Sequence, residues 1–156
     1  MMLIEVKGFK KIEAENLLID YNGTIACDGY ITTEIKKSLV KIADSLKIYV
    51  ITADTNGNAA SELEDLPVEL LIIKGINEDL EKLEFLNKLG ADKTIVAGNG
   101  NNDALILKES ILGIGVIGAE GIAKEALLNS DIIVKDSMDA FDLLLKTKRL
   151  IATMRK

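Results

Sequence analysis

The sequence predicts an α/β domain: a doubly wound, mainly parallel β-sheet of the Rossmann-like type, with helices on both faces to give three layers. Short aliphatic runs such as LLI at 17–19 and TIVA at 94–97 alternate along the chain with longer segments of helical period. The runs are apolar at consecutive positions, which is typical of strands that are buried on both faces. The helical segments between them supply the crossovers that parallel strands require.

Seven runs are predicted as strands and the segments between them as helices. The strands are Leu3–Lys7, Leu17–Asp20, Ile48–Thr52, Glu69–Ile73, Thr94–Gly98, Ile114–Ile117 and Ile132–Val134. The helices are Thr33–Leu46, Glu78–Leu89, Ala104–Ser110, Ile122–Asn129 and Ala140–Lys146, with a basic helical tail at Lys148–Lys156. In the two longest helices the apolar residues recur at steps of three or four, which is the period of a helix with one buried face. Every connection is short, so one domain is expected over residues 1–156.

The composition excludes several classes of function. The chain has 156 residues, 48% of them hydrophobic, and no histidine, which excludes imidazole catalysis and histidine-ligated zinc. Cys27 is the only cysteine, so an internal disulfide is impossible and a cytoplasmic location is expected. No apolar run reaches the roughly 20 residues of a membrane helix, which argues against a membrane partner. The net charge of −6 and the presence of only two arginines argue against nucleic acid.

The residues that follow the aliphatic runs are the informative ones, because open α/β sheets bind ligands at the carboxyl ends of their strands. The run at 17–19 is followed by Asp20–Thr24, the run at 48–51 by Thr52–Thr55, and the run at 94–97 by Gly98–Asp103. Three strand ends thus bring Asp, Thr and an Asn/Asp cluster to one crevice. The helix from Glu78 can bring Lys82 to the same crevice.

These residue types suit the transfer of a phosphoryl group with the help of a divalent cation. Asp20 can act as nucleophile and metal ligand, and Gly23 permits a tight turn whose amides would face an anion. Thr52 can donate its hydroxyl to a phosphate oxygen, and Lys82 can neutralise the developing charge. Lys74 and Lys88 compete with Lys82 for that role.

Oxygen ligands point to Mg²⁺ rather than zinc as the cation. The candidate ligands are Asp20, Asn99 and Asp103. For Asp54, the sequence leaves two roles equally open: a position near the metal, or the cap of a helix that starts near Asn56.

The motifs in this order resemble those of the haloacid dehalogenase-like (HAD) superfamily of phosphohydrolases. They are D-Y-N-G-T at 20–24, a strand that ends in Thr52, a lysine, and the loop G-N-G-N-N-D at 98–103. T-A-D at 52–54, S-D-I-I-V at 130–134 and K-R-L-I-A-T-M-R at 148–155 also resemble the phosphorylation domain of P-type ATPases and its small soluble homologues. The likeness covers almost the whole chain, from about Leu17 to Arg155.

The resemblance implies a phosphatase-like hydrolase that acts through an aspartyl-phosphate on Asp20 with Mg²⁺ as cofactor. It implies that Lys82 stabilises the nucleophile and the intermediate. The implied phosphate-binding residues are Gly23, Thr24, Thr52, Ala53 and Lys82, and the implied metal-binding residues are Asp20, Asn22 through its backbone carbonyl, Asn99 and Asp103.

Two positions depart from the pattern of this superfamily. Asn22 stands where phosphatases carry an aspartate as general acid, and an amide cannot exchange a proton at neutral pH. Asn99 stands where a metal-binding aspartate is usual, so the site loses one negative charge and Mg²⁺ binding is expected to be weaker. The sequence therefore predicts slow turnover. The alternative is a degenerate member that binds a phosphorylated partner without hydrolysing it.

The spacing of the motifs leaves no room for a cap domain. Only about one helix and one strand fit between Asp20 and Thr52, and between Thr52 and Lys82. An open site is therefore expected, with a phosphorylated small molecule or protein as substrate. A neighbouring subunit of a homo-oligomer is a further way to cover such a site.

The glycine-rich segment 113–121 contains G-x-G and G-x-x-G spacings. It lacks an acidic residue at the spacing of a dinucleotide site, so no nucleotide fingerprint is predicted. This segment is expected at the far end of the sheet, away from the crevice.

Overall fold

The computed structural model describes residues 1–55 and 57–156. The strands of the described residues are β1 (Met2–Glu5), β2 (Lys11–Ala14), β3 (Asn16–Asp20), β4 (Lys47–Thr52), β5 (Val68–Ile72), β6 (Thr94–Gly98), β7 (Leu112–Val116) and β8 (Ile132–Val134). The helices are α1 (Thr33–Ala43), α2 (Ala59–Leu63), α3 (Glu78–Leu89), α4 (Ala104–Glu109), α5 (Lys124–Leu128), α6 (Ser137–Leu145) and α7 (Thr147–Met154). Short 3₁₀ turns lie at Ala91–Lys93 and Asn101–Asp103.

The six strands from β3 onward form one parallel sheet in the order β5-β4-β3-β6-β7-β8. The chain builds outward from β3 to β5 and then returns to the other side of β3 to add β6, β7 and β8. The strand order thus reverses between β3 and β6, whose registers pair Ile19 with Ala97. A crevice at the carboxyl ends of two such strands is the usual ligand site of an open α/β sheet.

Two apolar layers cover the sheet, one on each face. Leu17 and Ile19 of β3 belong to the cluster that includes residues of α1, α6 and α7, whereas Leu18 belongs to the cluster that includes residues of α3 and α4. Neighbouring residues of a strand point to opposite faces, so a strand covered on both sides must be apolar at consecutive positions. The predicted three-layer α/β fold is confirmed.

The first strand lies outside the parallel sheet. β1 pairs antiparallel with β2, a strand that the sequence analysis missed, and Gly8 has a positive φ of 75° in the turn between them. β2 alternates two exposed charged residues with the buried Ile12 and Ala14. This pattern is typical of a half-buried strand, but four residues with two charges give only a weak signal.

No cap domain interrupts the described part of the fold. Between Asp20 and Thr52 the chain forms a turn, α1 and β4, and between Thr52 and Lys82 it forms α2, β5 and the first turn of α3. Helix α2 corresponds to the helix that was expected to start near Asn56 as one of the two roles of Asp54, and it begins at Ala59. Asn56 itself lies outside the described residues. No helix of the described residues combines the length and the apolar content needed to cross a bilayer.

Candidate active site

Asp20 is the last residue of β3 and lies at the switch point of the sheet. Its side chain is largely buried, and each of its carboxylate oxygens has a partner. Oδ1 accepts a hydrogen bond of 2.7 Å from Nζ of Lys82, and Oδ2 lies 3.3 Å from the hydroxyl of Thr24. The strand end thus presents one largely buried carboxylate to the crevice.

In the turn after Asp20, backbone N–H groups donate hydrogen bonds to carbonyl groups of the same turn. Gly23 has a φ of +78°, a conformation that favours glycine, and its N–H donates to the carbonyl of Ala26. The N–H of Thr24 donates to the carbonyl of Tyr21, and the Thr24 hydroxyl faces Asp20 and Asn99. These two amides are therefore used within the turn and do not face an anion. A phosphate contact of Gly23 or Thr24 through other atoms stays a prediction.

Thr52 and Ala53 line the crevice at the end of β4. Thr52 is 2% exposed, and its hydroxyl oxygen accepts the N–H of Asp54 at 2.9 Å. Because a hydroxyl carries one proton of its own, this arrangement leaves the Thr52 proton available as a donor. The carboxylate of Asp54 accepts the N–H of Ala59, the first residue of α2. Of the two roles left open for Asp54, the structure supports the helix cap.

Lys82 is the lysine that reaches the site. It lies on α3, its side chain is 1% exposed, and its ammonium lies 2.7 Å from both Asp20 and Asp103. Lys74 is exposed, and Lys88 forms an exposed ion pair with Glu84. The competition among these three lysines is thereby decided by position alone.

Asp103 is fully buried, and both of its oxygens are engaged. Oδ1 pairs with Lys82, while Oδ2 accepts the backbone N–H groups of Asn99 and Gly100. Asp103 therefore fixes the lysine and folds the loop after β6. Asp103 is not among the residues that line the cavity, so its predicted role as a metal ligand stays a prediction.

Asn99 links two loops across the crevice. Its Oδ1 lies 3.3 Å from the Thr24 hydroxyl, and its Nδ2 donates to the carbonyl of Gly121 at 3.1 Å. An aspartate at this position would have no N–H for that carbonyl. The bond to Gly121 is therefore a structural reason for asparagine rather than aspartate at position 99, and the sequence pattern did not reveal it.

Burial and charge shift the pKa values of the central groups. Burial, together with the negative charge of Asp103, raises the pKa of Asp20 to about 7, although Lys82 opposes the shift. For Lys82, burial lowers the pKa, but the two carboxylates outweigh it and the net pKa lies above its usual value. The lysine is therefore charged over the whole physiological range, whereas Asp20 changes its charge near neutral pH.

The crevice is an open cavity of about 270 Å³. Its lining includes Asp20, Asn22, Thr52, Ala53, Thr55, Glu78, Lys82, Asn99, Gly100, Asn102 and Glu120. Glu78 and Glu120 were not predicted, whereas Asn102 belongs to the Asn/Asp cluster that was expected at the crevice. Glu78 accepts a hydrogen bond from Asn102, and Glu120 lies beyond the end of β7, where the strand-end rule would have found it. The placement of segment 113–121 far from the crevice was therefore wrong.

The donor set of this cavity fits Mg²⁺ better than a transition metal. Among the described residues, no group of three or more Asp, Glu, His or Cys side chains is arranged to hold a metal ion. The lining instead includes Asp20, Asn22 and Asn99, residues whose side chains and backbone carry oxygen ligands. Mg²⁺ prefers oxygen and keeps several of its waters, so one carboxylate and two carbonyl groups suffice as protein ligands.

Comparison with known sequences gives one strong match. No protein-family model matches the chain. Uncharacterized protein MJ0073 of Methanocaldococcus jannaschii is 56% identical over 77 residues, which are 49% of this chain and 83% of that protein. The chain belongs to the MJ0073 family. Uncharacterized protein MJ0072 of the same organism is 42% identical to this MJ0073-family chain over 40 residues, 26% of the chain and 91% of that protein.

Comparison with solved structures identifies the fold. A 3-deoxy-D-manno-octulosonate 8-phosphate phosphatase from Moraxella catarrhalis, in complex with magnesium, phosphate and KDO, superimposes with a TM-score of 0.70. It is 16% identical, and the match covers 91% of this chain and 94% of that chain. A cobalt-bound phosphatase of the same kind from Haemophilus influenzae has a TM-score of 0.70 at 11% identity, covering 92% and 94%. A candidate HAD family hydrolase from Streptomyces avermitilis has a TM-score of 0.67 at 13% identity, covering 90% and 87%. This member of the MJ0073 family has the capless HAD-like fold.

Proposed function

We propose that the protein is a Mg²⁺-dependent phosphohydrolase that forms an aspartyl-phosphate on Asp20 and turns over slowly. The observation that carries the proposal is the buried trio at the switch point, in which Lys82 bridges Asp20 and Asp103 at 2.7 Å. A buried lysine between two carboxylates is costly to assemble and adds little to stability. The HAD phosphatases that share the fold support a phosphatase over other uses of such a trio.

In the proposed reaction, a carboxylate oxygen of Asp20 attacks phosphorus while the bond from phosphorus to the leaving oxygen breaks. Water then attacks the aspartyl-phosphate, which releases inorganic phosphate and restores the carboxylate. Lys82 offsets negative charge during both steps, and the hydroxyl of Thr52 donates a hydrogen bond to an oxygen of the transferring phosphoryl group. Asp103 acts by holding Lys82 in place.

The charge of the cavity is the physical argument for a cation. Asp20, Glu78 and Glu120 line it as carboxylates, and Lys82 is the only cationic residue in the described lining. A phosphate dianion entering such a cavity would meet net repulsion unless a cation offset it. Mg²⁺, held by Asp20, the Asn22 carbonyl and Asn99, would supply that positive charge.

Slow turnover follows from Asn22. Asn22 lines the cavity but has no proton to give to the leaving oxygen at neutral pH, and a positioned general acid contributes about 10²–10⁴-fold. Substrates whose leaving groups need no protonation should therefore react best. The open, capless cavity suits a phosphate carried by a small molecule or presented on a protein surface, and the single cysteine favours a cytoplasmic location.

The test is hydrolysis of p-nitrophenyl phosphate across a Mg²⁺ titration, because its leaving group needs little protonation. Wild type, Asp20→Asn and Asp92→Asn are purified in parallel, Asp92 being an exposed aspartate in the turn before β6. The expected result is saturable, Mg²⁺-dependent activity in wild type and Asp92→Asn that is lost in Asp20→Asn. Equal activity in all three proteins would identify a contaminant and contradict the proposal.

The second candidate is a module that binds phosphate or a phosphorylated partner without hydrolysis, and the amides at Asn22 and Asn99 favour it. It predicts no turnover in wild type at tens of millimolar Mg²⁺. It also predicts activity in the double variant with Asn22→Asp and Asn99→Asp. Turnover by wild type would exclude this candidate.

A further inference from the structure

Glu120 lies in the turn that follows β7, and the fold holds this turn against the active site. On one side, Ile117 and Gly118 donate their N–H groups to the carbonyls of Val134 and Lys135. On the other side, the carbonyl of Gly121 accepts the side-chain amide of Asn99. Gly118 and Gly121 both have positive φ values, so the turn is tight on either side of Glu120.

The carboxylate of Glu120 reaches the same point as the amide of Asn99. A Cβ atom placed on Gly23 would lie 2.4 Å from Oε2 of Glu120 and 2.6 Å from Nδ2 of Asn99. Glycine at position 23 therefore leaves the space that these two side chains use. Glu120 also lines the cavity that contains Asp20 and Asn22.

Glu120 is an exposed residue whose carboxylate is not engaged by the described part of the chain. The other unpredicted carboxylate of the cavity, Glu78, accepts a hydrogen bond from Asn102, whereas Glu120 has no hydrogen bond or ion pair with a described residue. Glu120 lines the same cavity as Asp20 and adds negative charge that a bound cation would offset.

We propose that Glu120 supplies the metal-site charge that Asn99 lacks, as a ligand of Mg²⁺ directly or through one of its waters. This inference rests on the Mg²⁺ site of the proposed function and deepens it. Asn99 holds the turn through Gly121 and offers a neutral oxygen, and Glu120, carried by that turn, provides the second negative charge. The usual carboxylate has thereby moved from the loop after β6 to the turn after β7.

A carboxylate at either position 99 or position 120 should therefore support Mg²⁺ binding. Mg²⁺ affinity is measured by calorimetry on the protein without substrate, in wild type, Glu120→Gln and the double variant with Glu120→Gln and Asn99→Asp. Glu109→Gln, at the far end of α4, is the matched control because it removes the same charge at an exposed position. The expected result is an affinity at least fivefold weaker in Glu120→Gln, unchanged in Glu109→Gln, and restored to within about twofold in the double variant.

The outcomes separate this inference from the function on which it rests. Wild type that binds Mg²⁺ with an affinity that Glu120→Gln leaves unchanged would overturn the inference and leave the proposed function intact. Wild type that binds no Mg²⁺ up to tens of millimolar would overturn both. Circular dichroism spectra and melting temperatures of all variants identify any loss of binding that is due to unfolding.

Discussion

The ammonium of Lys82 and the carboxylate of Asp103 form an ion pair of 2.7 Å in which both side chains are almost fully buried. The same ammonium lies 2.7 Å from Asp20, so one positive charge serves two carboxylates. The remaining Asp103 oxygen accepts two backbone N–H groups of the loop after β6. Helix α3, strand β3 and this loop are thus tied together by one buried cation.

Replacing Lys82 by methionine should therefore damage both activity and stability. Phosphatase activity is expected to fall at least 10²-fold because the charge that faces the phosphoryl group is lost. The free energy of unfolding at pH 8 should fall by roughly 3–5 kcal/mol, since two buried carboxylates lose their partner. Urea unfolding measures the second effect. Lys88→Met, which removes an exposed lysine of the same helix, should leave both quantities almost unchanged.

Asp20→Asn should stabilise the protein more at pH 8 than at pH 5 when Mg²⁺ is absent. Because burial raises the folded-state pKa of Asp20 to about 7, the folded protein holds this proton at pH values where the unfolded chain has lost it. Ionised Asp20 thus lowers stability increasingly as the pH rises from about 4 to about 7, with no further change above that. Urea unfolding in EDTA at both pH values measures the difference. A stabilisation that is larger at pH 5 would have the wrong sign.

Asn22→Asp should restore a general acid and make the rate less dependent on the leaving group. Turnover of an alkyl phosphate is expected to rise about 10²-fold, while turnover of p-nitrophenyl phosphate changes little. Steady-state kinetics on the two substrates give the ratio. Asn87→Asp, at an exposed position of α3, controls for the added charge. An equal rise with both substrates would show that the new carboxylate does not act as a leaving-group acid.

Gly98→Ala tests how tightly Asp103, the aspartate that pairs with Lys82, is packed. A Cβ on Gly98 would lie 2.6 Å from Cγ of Asp103, a side chain fixed by three hydrogen bonds. We expect a loss of roughly 1–3 kcal/mol in unfolding free energy together with most of the activity. A Cβ on Gly100 would lie 2.6 Å from Oδ1 at the end of the Asn102 side chain and in ordinary contact, 3.5 Å, with Oδ2 of Asp103, so Gly100→Ala should cost less. Equal losses in the two variants would contradict this account of the packing.

The sequence predicted the layers of the fold and most of its elements from the spacing of apolar residues. The predicted bounds of Glu78–Leu89 and Thr94–Gly98 agree with α3 and β6, because long helices and doubly buried strands have strong periodic signals. β2 was missed, and α2 was indicated only by the cap role of Asp54, because both elements are short and give weak periodic signals. The finer likeness to the phosphorylation domain of P-type ATPases stays a prediction.

The sequence by itself determined that strand ends would bring Asp20, Thr52 and the loop at 98–103 together, because a parallel sheet aligns the carboxyl ends of its strands. Only the tertiary structure decided which lysine joins them, since Lys74, Lys82 and Lys88 differ in burial and not in residue type. It also decided that the N–H groups of Gly23 and Thr24 form hydrogen bonds within the turn, and that Glu120 reaches the cavity from the turn after β7. The choice of lysine depends on hydrogen bonds between segments far apart in the chain, and no local pattern of residues encodes it.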